Sequence, residues 1–227
     1  TEVILLNGNS QELFRTRIPT LRDDYDATLR DIASLVAQAE AAAGQNHLPV
    51  GIGIPGTVSR KTGFVKNANS TWLNGQPFQR DLSAFLQRDV KVTNDANCLA
   101  VSEATDGAGR GYEMVFAGIL GTGCGAGIAY KGAPLVGPNG LAGEWGHNPL
   151  PWTSEAELTA RPCYCGKAGC METFLSGTGL CRSYQLATGE QVKGHDIVER
   201  AAQGESIAQK VLANYYDQLA RGLATVI

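Results

Sequence analysis

The chain has 227 residues, of which 43% are hydrophobic and 18% charged. That is enough to bury one large core or two small ones, and too apolar for a disordered segment. A net charge of -3 leaves no electrostatic footprint for nucleic acid or an anionic membrane as partner. No apolar run approaches the roughly 18 residues of a membrane-spanning helix, and Thr1 to Leu6 lack the basic start and cleavage pattern of a signal peptide.

Glu2 to Leu6 reads as a strand, Asn7-Gly8-Asn9 as the turn after it, and Gln11 to Arg17 as the return strand. Asp23 and Asp24 are natural caps for a helix from Tyr25 to Ala43. Ala27, Leu29, Ile32, Leu35, Val36 and Ala39 form its buried face, and Gly44 closes it. Pro49 to Ile54 is a buried strand that ends in a loop at Pro55-Gly56, and Phe64-Val65 is a short strand. Lys66 to Gly75 is an amide-rich loop with one Trp. Asp81 is expected to cap a helix carrying Leu82, Phe85 and Leu86. The strand Val90 to Thr93 runs straight into Asn94-Asp95-Ala96-Asn97, and a helix from Ala96 to about Ala104 follows.

Met114 to Leu120 is a further apolar strand. The glycine-rich run Gly121 to Gly127 is expected to turn the chain, with Ile128 to Tyr130 as the antiparallel return. Helical segments follow at Thr173–Tyr184 and His195–Ala202. The last helix is expected from Ile207 to Ile227, along Ile207, Val211, Leu212, Tyr215, Leu219, Leu223 and Val226. Strands alternating with helices argue for an α/β layered fold with ligand loops at strand ends. The chain opens directly on a strand and stops inside an apolar helix face without a cap, so the expectation is a fragment of a longer protein.

Six cysteines are present: Cys98, Cys124 and Cys181 stand alone, while Cys163, Cys165 and Cys170 cluster. A disulfide framework would be denser and sit in a smaller chain, so a reducing cytoplasmic setting with one metal site fits better. The cluster has the spacing Cys-x-Cys-x4-Cys, and His147 is the best placed histidine for a fourth ligand, since His47 and His195 lie in polar contexts. Zinc takes such a Cys3His set tetrahedrally, and a site closed by four protein ligands is structural. The plainer alternative is a set of free buried cysteines in a glycine-rich loop.

Three other constellations carry possible chemistry. Asp95 follows a strand, between Asn94 and Asn97, where a carboxylate can take a proton from a substrate hydroxyl. Asn-Asp before a helix is equally an ordinary cap, and one residue could do both. Gly121-Thr122-Gly123 turns backbone N–H groups outward as a phosphate cradle does, although most such turns are tight hairpins, and the lysine of a Walker motif is lacking. Asn69, Glu144 and Glu172 are polar groups in glycine-rich loops, with the donor and acceptor capacity that sugars require. Each alone reads as a solvated loop residue. Trp72, Trp145 and Trp152 read as packing.

Taken together, these motifs resemble the ROK family (repressor, open reading frame, kinase). The residues that carry the resemblance are Gly51-Ile52-Gly53-Ile54-Pro55-Gly56, Asn94-Asp95-Ala96-Asn97, Gly121-Thr122-Gly123, Gly143-Glu144-Trp145-Gly146-His147, and the run from Cys163 through Cys165 and Cys170 to Glu172, the family's zinc signature. Within the family, Lys66 to Phe78 and Asn148 to Trp152 look like a bacterial fructokinase of the manno(fructo)kinase type.

The resemblance implies an actin-like ATPase (ribonuclease H-like) α/β fold of two lobes, truncated at both ends. Residues 1–94 would form the N-terminal lobe and 95–227 the C-terminal lobe, with the zinc loop at 143–172. It implies transfer of the γ-phosphate of ATP to a hexose, fructose first, with Mg2+ accompanying ATP and a structural Zn2+ on His147, Cys163, Cys165 and Cys170. Asp95 would be the general base. Asn69, Asn94, Glu144, His147 and Glu172 would hold sugar hydroxyls, and Gly121, Thr122 and Gly123 would face the nucleotide phosphates. A homodimer in the cytoplasm is implied as well. Family kinases begin with an Asp-x-Gly-Gly-Thr-Lys-like phosphate loop and carry a glycine-rich adenosine segment after the last helix. Neither is found here, so the nucleotide side is expected to be half present and this chain alone to fall short of full kinase activity. A sugar-sensing ROK repressor and a non-catalytic zinc-stapled sugar-binding module are the competing readings.

Overall fold

The structure, a computed structural model, describes residues 1–158 and 161–227. The chain begins with an antiparallel hairpin, β1 (Glu2–Leu6) and β2 (Glu12–Arg17). Helix α1 (Tyr25–Ala43) follows as its spacing predicts. The Asp24 carboxylate accepts the Ala27 N–H at 2.8 Å, and Gly44 ends the helix in the left-handed region at φ 63°. Strand β3 (Val50–Ile54) pairs in parallel with β6 (Val90–Asn94), from Val50 against Val90 to Ile54 against Asn94. Parallel strands need a long crossover. It contains the short ladder β4 (Thr57–Val58) with β5 (Val65–Lys66), a 3-10 turn at Thr71–Leu73, and helix α2 (Phe78–Leu86).

Helix α3 (Asp95–Thr105) leaves the end of β6 without a break. Strands β7 (Met114–Leu120) and β8 (Cys124–Tyr130) form a hairpin extended by β9 (Ala133–Pro134), and α3 packs on it. After a 3-10 turn at Trp145–His147 come α4 (Glu155–Leu158), α5 (Glu172–Leu175), α6 (Gly177–Thr188), α7 (Gly194–Ala202) and α8 (Ser206–Leu223).

The buried clusters divide near the β6–α3 junction. One draws on α1, β3, β5, α2 and β6, centred on Phe78, Leu82 and Val90. The others lie beyond it. Ala100, Ala117 and Ala129 weld α3 to the β7–β8 hairpin, Trp145, Met171, Phe174 and Leu175 fill the space under it, and Tyr184 and Ile197 join α6 to α7. Full burial of each large apolar side chain stabilises by about 1.5–3 kcal/mol. A half-buried ion pair closes the first cluster: Arg88 donates to Glu40 at 2.5 Å and to the Leu48 carbonyl at 2.9 Å, tying the end of α1 to the chain before β6.

Several expectations are corrected. Asp81 does not cap α2. The helix starts three residues earlier behind Pro77, and the Asp81 carboxylate accepts the Tyr25 hydroxyl at 3.0 Å instead. Of the residues placed on this helix, Leu82 is fully buried and Phe85 is 53% exposed. Phe64 lies outside the short strand that begins at Val65. The return strand β8 begins at Cys124 rather than Ile128, so the turn is only Gly121–Gly123. The expected 173–184 helix is two, because the Ser176 hydroxyl accepts the Gly179 N–H and starts α6 afresh. Helix α8 ends at Leu223, which leaves Val226 and Ile227 outside it and exposed.

Candidate functional site

Strand β8 is the floor of the site, and two glycines let neighbours lie directly on it. A Cβ on Gly127 would stand 2.0 Å from the Ala96 carbonyl, and one on Gly146 would stand 1.8 Å from the Cys124 carbonyl. Any other residue at either position collides with backbone. The first glycine seats the N-terminal turn of α3, which carries Asp95. The second seats the 3-10 turn that carries His147.

Capping decides what Asp95 is free to do. Asn94 supplies the cap: its side-chain oxygen accepts the N–H groups of Ala96 at 2.9 Å and Asn97 at 3.4 Å. Its amide donates to the Gly56 carbonyl at 2.8 Å, so Asn94 ties the β6–α3 corner to the end of β3. Asp95 takes only its neighbour's N–H through one oxygen, at 2.9 Å, and its exposed carboxylate faces the cleft. Asn69 reaches the same space because the Asn74 side chain brackets Ala68, accepting its N–H and donating to its carbonyl, both at 2.9 Å.

One cleft of about 840 Å³ gathers Asn69, Asn94, Asp95, Gly121, Thr122, Gly123, Glu144, His147 and Glu172, the full set of non-cysteine positions expected from the sequence. Its size is that of a small-molecule site. A second cleft, of about 960 Å³, adjoins it and shares Gly121, Thr122, Tyr164 and Glu172. Its far wall is the start of α6 and the 191–196 segment. The Gly121–Gly123 turn is pinned between the clefts. Gly177 N–H donates to the Gly121 carbonyl at 2.7 Å, and the Thr178 hydroxyl to the Thr122 carbonyl at 3.1 Å. Glu172 accepts the Cys124 N–H at 3.0 Å, so the acid is positioned by the residue that follows the turn.

The cysteine loop closes the cleft at its other end. Of 143–172, residues 159 and 160 lie outside the described residues. The ligand atoms of His147, Cys163, Cys165 and Cys170 lie within 4.8 Å of one another. Cys163 Sγ is 3.5 Å from His147 Nδ1, and Cys165 Sγ is 3.6 Å from Cys170 Sγ. A tetrahedral Cys3His site with Zn–S near 2.3 Å places sulfurs about 3.8 Å apart and sulfur and nitrogen about 3.6 Å apart. The donor set therefore fits a divalent metal of this kind. Burial, together with the neighbouring sulfurs, pushes the Cys170 thiol up to about 12, a conflict that a bound cation relieves. His147 turns Nδ1 toward the sulfurs, while Nε2 is 2.9 Å from the Tyr164 hydroxyl.

Sequence reasoning missed Tyr164 and Lys167, which also line the cleft. The signal was available, since both lie inside the cysteine motif beside residues expected at the site. The segments behind the fructose expectation do other work. The Trp72 indole donates to Thr28 at 3.0 Å, Asn74 holds Ala68, Leu150 is buried, and Arg221 donates to the carbonyls of Pro151 and Trp152 at 3.1 Å. From those segments only residues 67–69 reach the cleft.

Comparison with known proteins shows what the chain is similar to. The model of the ROK family matches residues 1–227. The N-acetyl-D-glucosamine kinase of Shigella boydii serotype 4 (strain Sb227) is 38% identical over 227 residues, covering 98% of this chain and 75% of that protein. Among solved structures, the ROK hexokinase of Thermus thermophilus superposes with a TM-score of 0.83 at 26% identity, over 95% of this chain and 70% of that one. A ROK family transcriptional regulator, a homologue of the E. coli MLC protein, superposes with a TM-score of 0.77 at 24% identity, over 99% and 59%. That last likeness concerns the fold alone. Among the described residues no helix is long and apolar enough to cross a membrane.

Proposed function

The chain belongs to the ROK family, with the actin-like ATPase fold of its sugar kinases, and on that footing we propose that it forms the sugar-binding body of a kinase that moves the γ-phosphate of ATP onto a hexose hydroxyl. The observation that carries the proposal is the convergence of Asp95, Asn69, Glu144, His147 and Glu172 on one cleft that opens, past Gly121–Gly123, into a second. Phosphoryl transfer asks a protein for positioning, charge neutralisation and a base near the attacking hydroxyl. Asp95 takes the base role, because Asn94 caps the helix and leaves the Asp95 carboxylate turned to the cleft. Asn69, Glu144 and Glu172 offer hydrogen bonds to sugar hydroxyls, and His147 belongs to the same wall. Asn94 holds the corner and lines the same cleft, where its second amide N–H is offered to a sugar hydroxyl.

Gly121, Thr122 and Gly123 stand between sugar and nucleotide, where the γ-phosphate has to pass. Mg2+ arrives with ATP and neutralises phosphate charge. Zinc on His147, Cys163, Cys165 and Cys170 is structural: it fixes the loop that carries one wall of the sugar cleft. The division at Asn94–Asp95 into two lobes is part of the same reading, as is assembly into a homodimer.

For the hexose, the named relative supports N-acetyl-D-glucosamine as the first substrate. Fructose, suggested by the sequence motifs, has less support because most of those residues pack or cap away from the cleft. A sugar sensor with this fold would bind sugar in the same cleft without turning over ATP. The test is ADP release by the full-length polypeptide that contains this chain, with Mg2+-ATP and a panel of N-acetyl-D-glucosamine, glucose, mannose and fructose. Hexose-dependent ADP release is expected. Sugar binding with no ADP release would leave the sensor as the correct assignment.

A further inference from the structure

The sugar cleft is lined from one stretch of chain by Asn67, Ala68 and Asn69, and from another by Leu141 and Glu144. Each stretch rests on its own support. A Cβ on Gly56 would stand 2.5 Å from the Lys66 carbonyl and 2.6 Å from the Ala68 nitrogen, so the 66–68 backbone lies directly on Gly56. The Gly56 carbonyl is in turn held by the Asn94 amide at 2.8 Å. A Cβ on Gly143 would stand 2.4 Å from the Ala126 carbonyl, so the stretch that carries Glu144 lies on β8.

The two stretches meet again away from the β6–α3 corner. Lys66 Nζ donates to the Asn139 carbonyl at 3.1 Å, across 73 positions of sequence. Beside this bond Gly140, in the left-handed region at φ 69°, comes close to β4, where a Cβ would stand 3.3 Å from Thr57 Oγ1. Neither Lys66 nor Asn139 lines the cleft. Asn67 follows Lys66 directly, and Leu141 stands two residues after Asn139. The bond therefore acts on the span between the two stretches and not on what lies between them.

Resting on the sugar-site reading above, we propose that Lys66 is a positioning residue: its bond to the Asn139 carbonyl fixes the spacing of the 67–69 and 141–144 stretches before the sugar arrives. A cleft of unfixed width has to be ordered when the ligand binds, and that ordering is subtracted from the affinity. The compact ammonium on its long stem is suited to reaching a carbonyl on a separate segment.

Lys66→Met keeps an extended stem and removes the donor, and Lys66→Arg restores a donor. Wild type and both variants are compared in the full-length polypeptide. Affinity for N-acetyl-D-glucosamine, glucose and fructose is measured by calorimetry, with hexose-dependent ADP release and the Tm of the sugar-free protein read on the same preparations. The expected result for Lys66→Met is a loss of sugar affinity of roughly twofold to tenfold, the net worth of one hydrogen bond. It should appear as a raised KM with kcat unchanged, because the bond serves ground state and transition state alike. Tm should stay at the wild-type value, and Lys66→Arg should recover the affinity. Equal affinity in Lys66→Met would overturn the proposal, since the spacing would then hold without the bond. A loss that Lys66→Arg fails to recover, or one matched by a fall in Tm, would overturn it too. A wild type that binds none of the three sugars would overturn the sugar-site reading itself and this inference with it, an outcome distinct from wild-type binding that Lys66→Met leaves intact.

Discussion

Gly123→Ala is expected to disarm the sugar wall while leaving the fold in place. Gly123 lies outside the left-handed region, so alanine fits the backbone there. The added Cβ would stand 2.8 Å from Glu172 Oε2. A comfortable C···O approach is about 3.3–3.6 Å, so the carboxylate must retreat by roughly half an ångström or more. Its bond from the Cys124 N–H, now 3.0 Å, would then stretch to about 3.5 Å, beyond a useful hydrogen bond. A carboxylate released in this way no longer holds a fixed position toward the ligand. The loss is worth one charge-assisted hydrogen bond, about 1.5–3 kcal/mol, or about 10- to 150-fold in sugar affinity. Gly121→Ala is the control, since a Cβ at Gly121 meets nothing within 4 Å among the described residues. Calorimetric titration of the preferred hexose into both variants, with Tm measured alongside, decides the matter. Undiminished binding by Gly123→Ala, or an equal loss in Gly121→Ala, would refute the link between the turn and Glu172.

Removal of the metal should loosen the whole wall. Dialysis against a strong chelator is expected to lower Tm by more than about 5 °C and to weaken sugar binding, read by calorimetry against elemental analysis; a metal-free protein of unchanged Tm would exclude a structural site. Acid should act first at the α4–α8 contact. Burial raises the Glu157 carboxyl, but bonds from Arg221, the Ser154 N–H and Gln218 outweigh it and hold Glu157 at about 2, against 4.5 for a free glutamate. A depressed carboxyl contributes stability that is complete above the unfolded value and lost as pH falls through the folded one. Glu157→Gln should therefore cost about 1–3 kcal/mol at neutral pH and flatten the fall in stability between about pH 5 and 2, measured by urea unfolding across that range.

Much of this was legible before the fold was seen, for identifiable reasons. The α1 face is a plain helical repeat, so its six expected inward residues are buried together with Thr28. The strand-to-helix corner at Asn94-Asp95 was visible, but which of the two side chains caps was not, because both can accept an N–H. The backbone assigns the task to Asn94. The start of β8 was misplaced because Gly125 and Gly127 look like turn residues. Gly127 serves close packing instead, against a carbonyl 31 positions away in the chain, and no local pattern announces such a contact. Asp81 misled for a similar reason: its partner is Tyr25, far away in sequence. At the site, residue types and spacing singled out Asp95, Glu144 and Glu172, which line one cleft, and His147, Cys163, Cys165 and Cys170, whose donor atoms cluster. Tyr164 escaped although it stands inside the cysteine motif, because its contact with the His147 ring is made only in the fold.

Proton removal from the sugar hydroxyl is read most directly by comparing wild type with Asp95→Asn in the full-length polypeptide. Hexose-dependent ADP release and sugar affinity are measured on the same preparations. The amide keeps the size of the side chain and removes its basicity. A rate lower by about 10²–10⁴, with sugar affinity close to wild type, is the expected result. An Asp95→Asn protein that phosphorylates the sugar at the wild-type rate would contradict the assignment of Asp95 as the base.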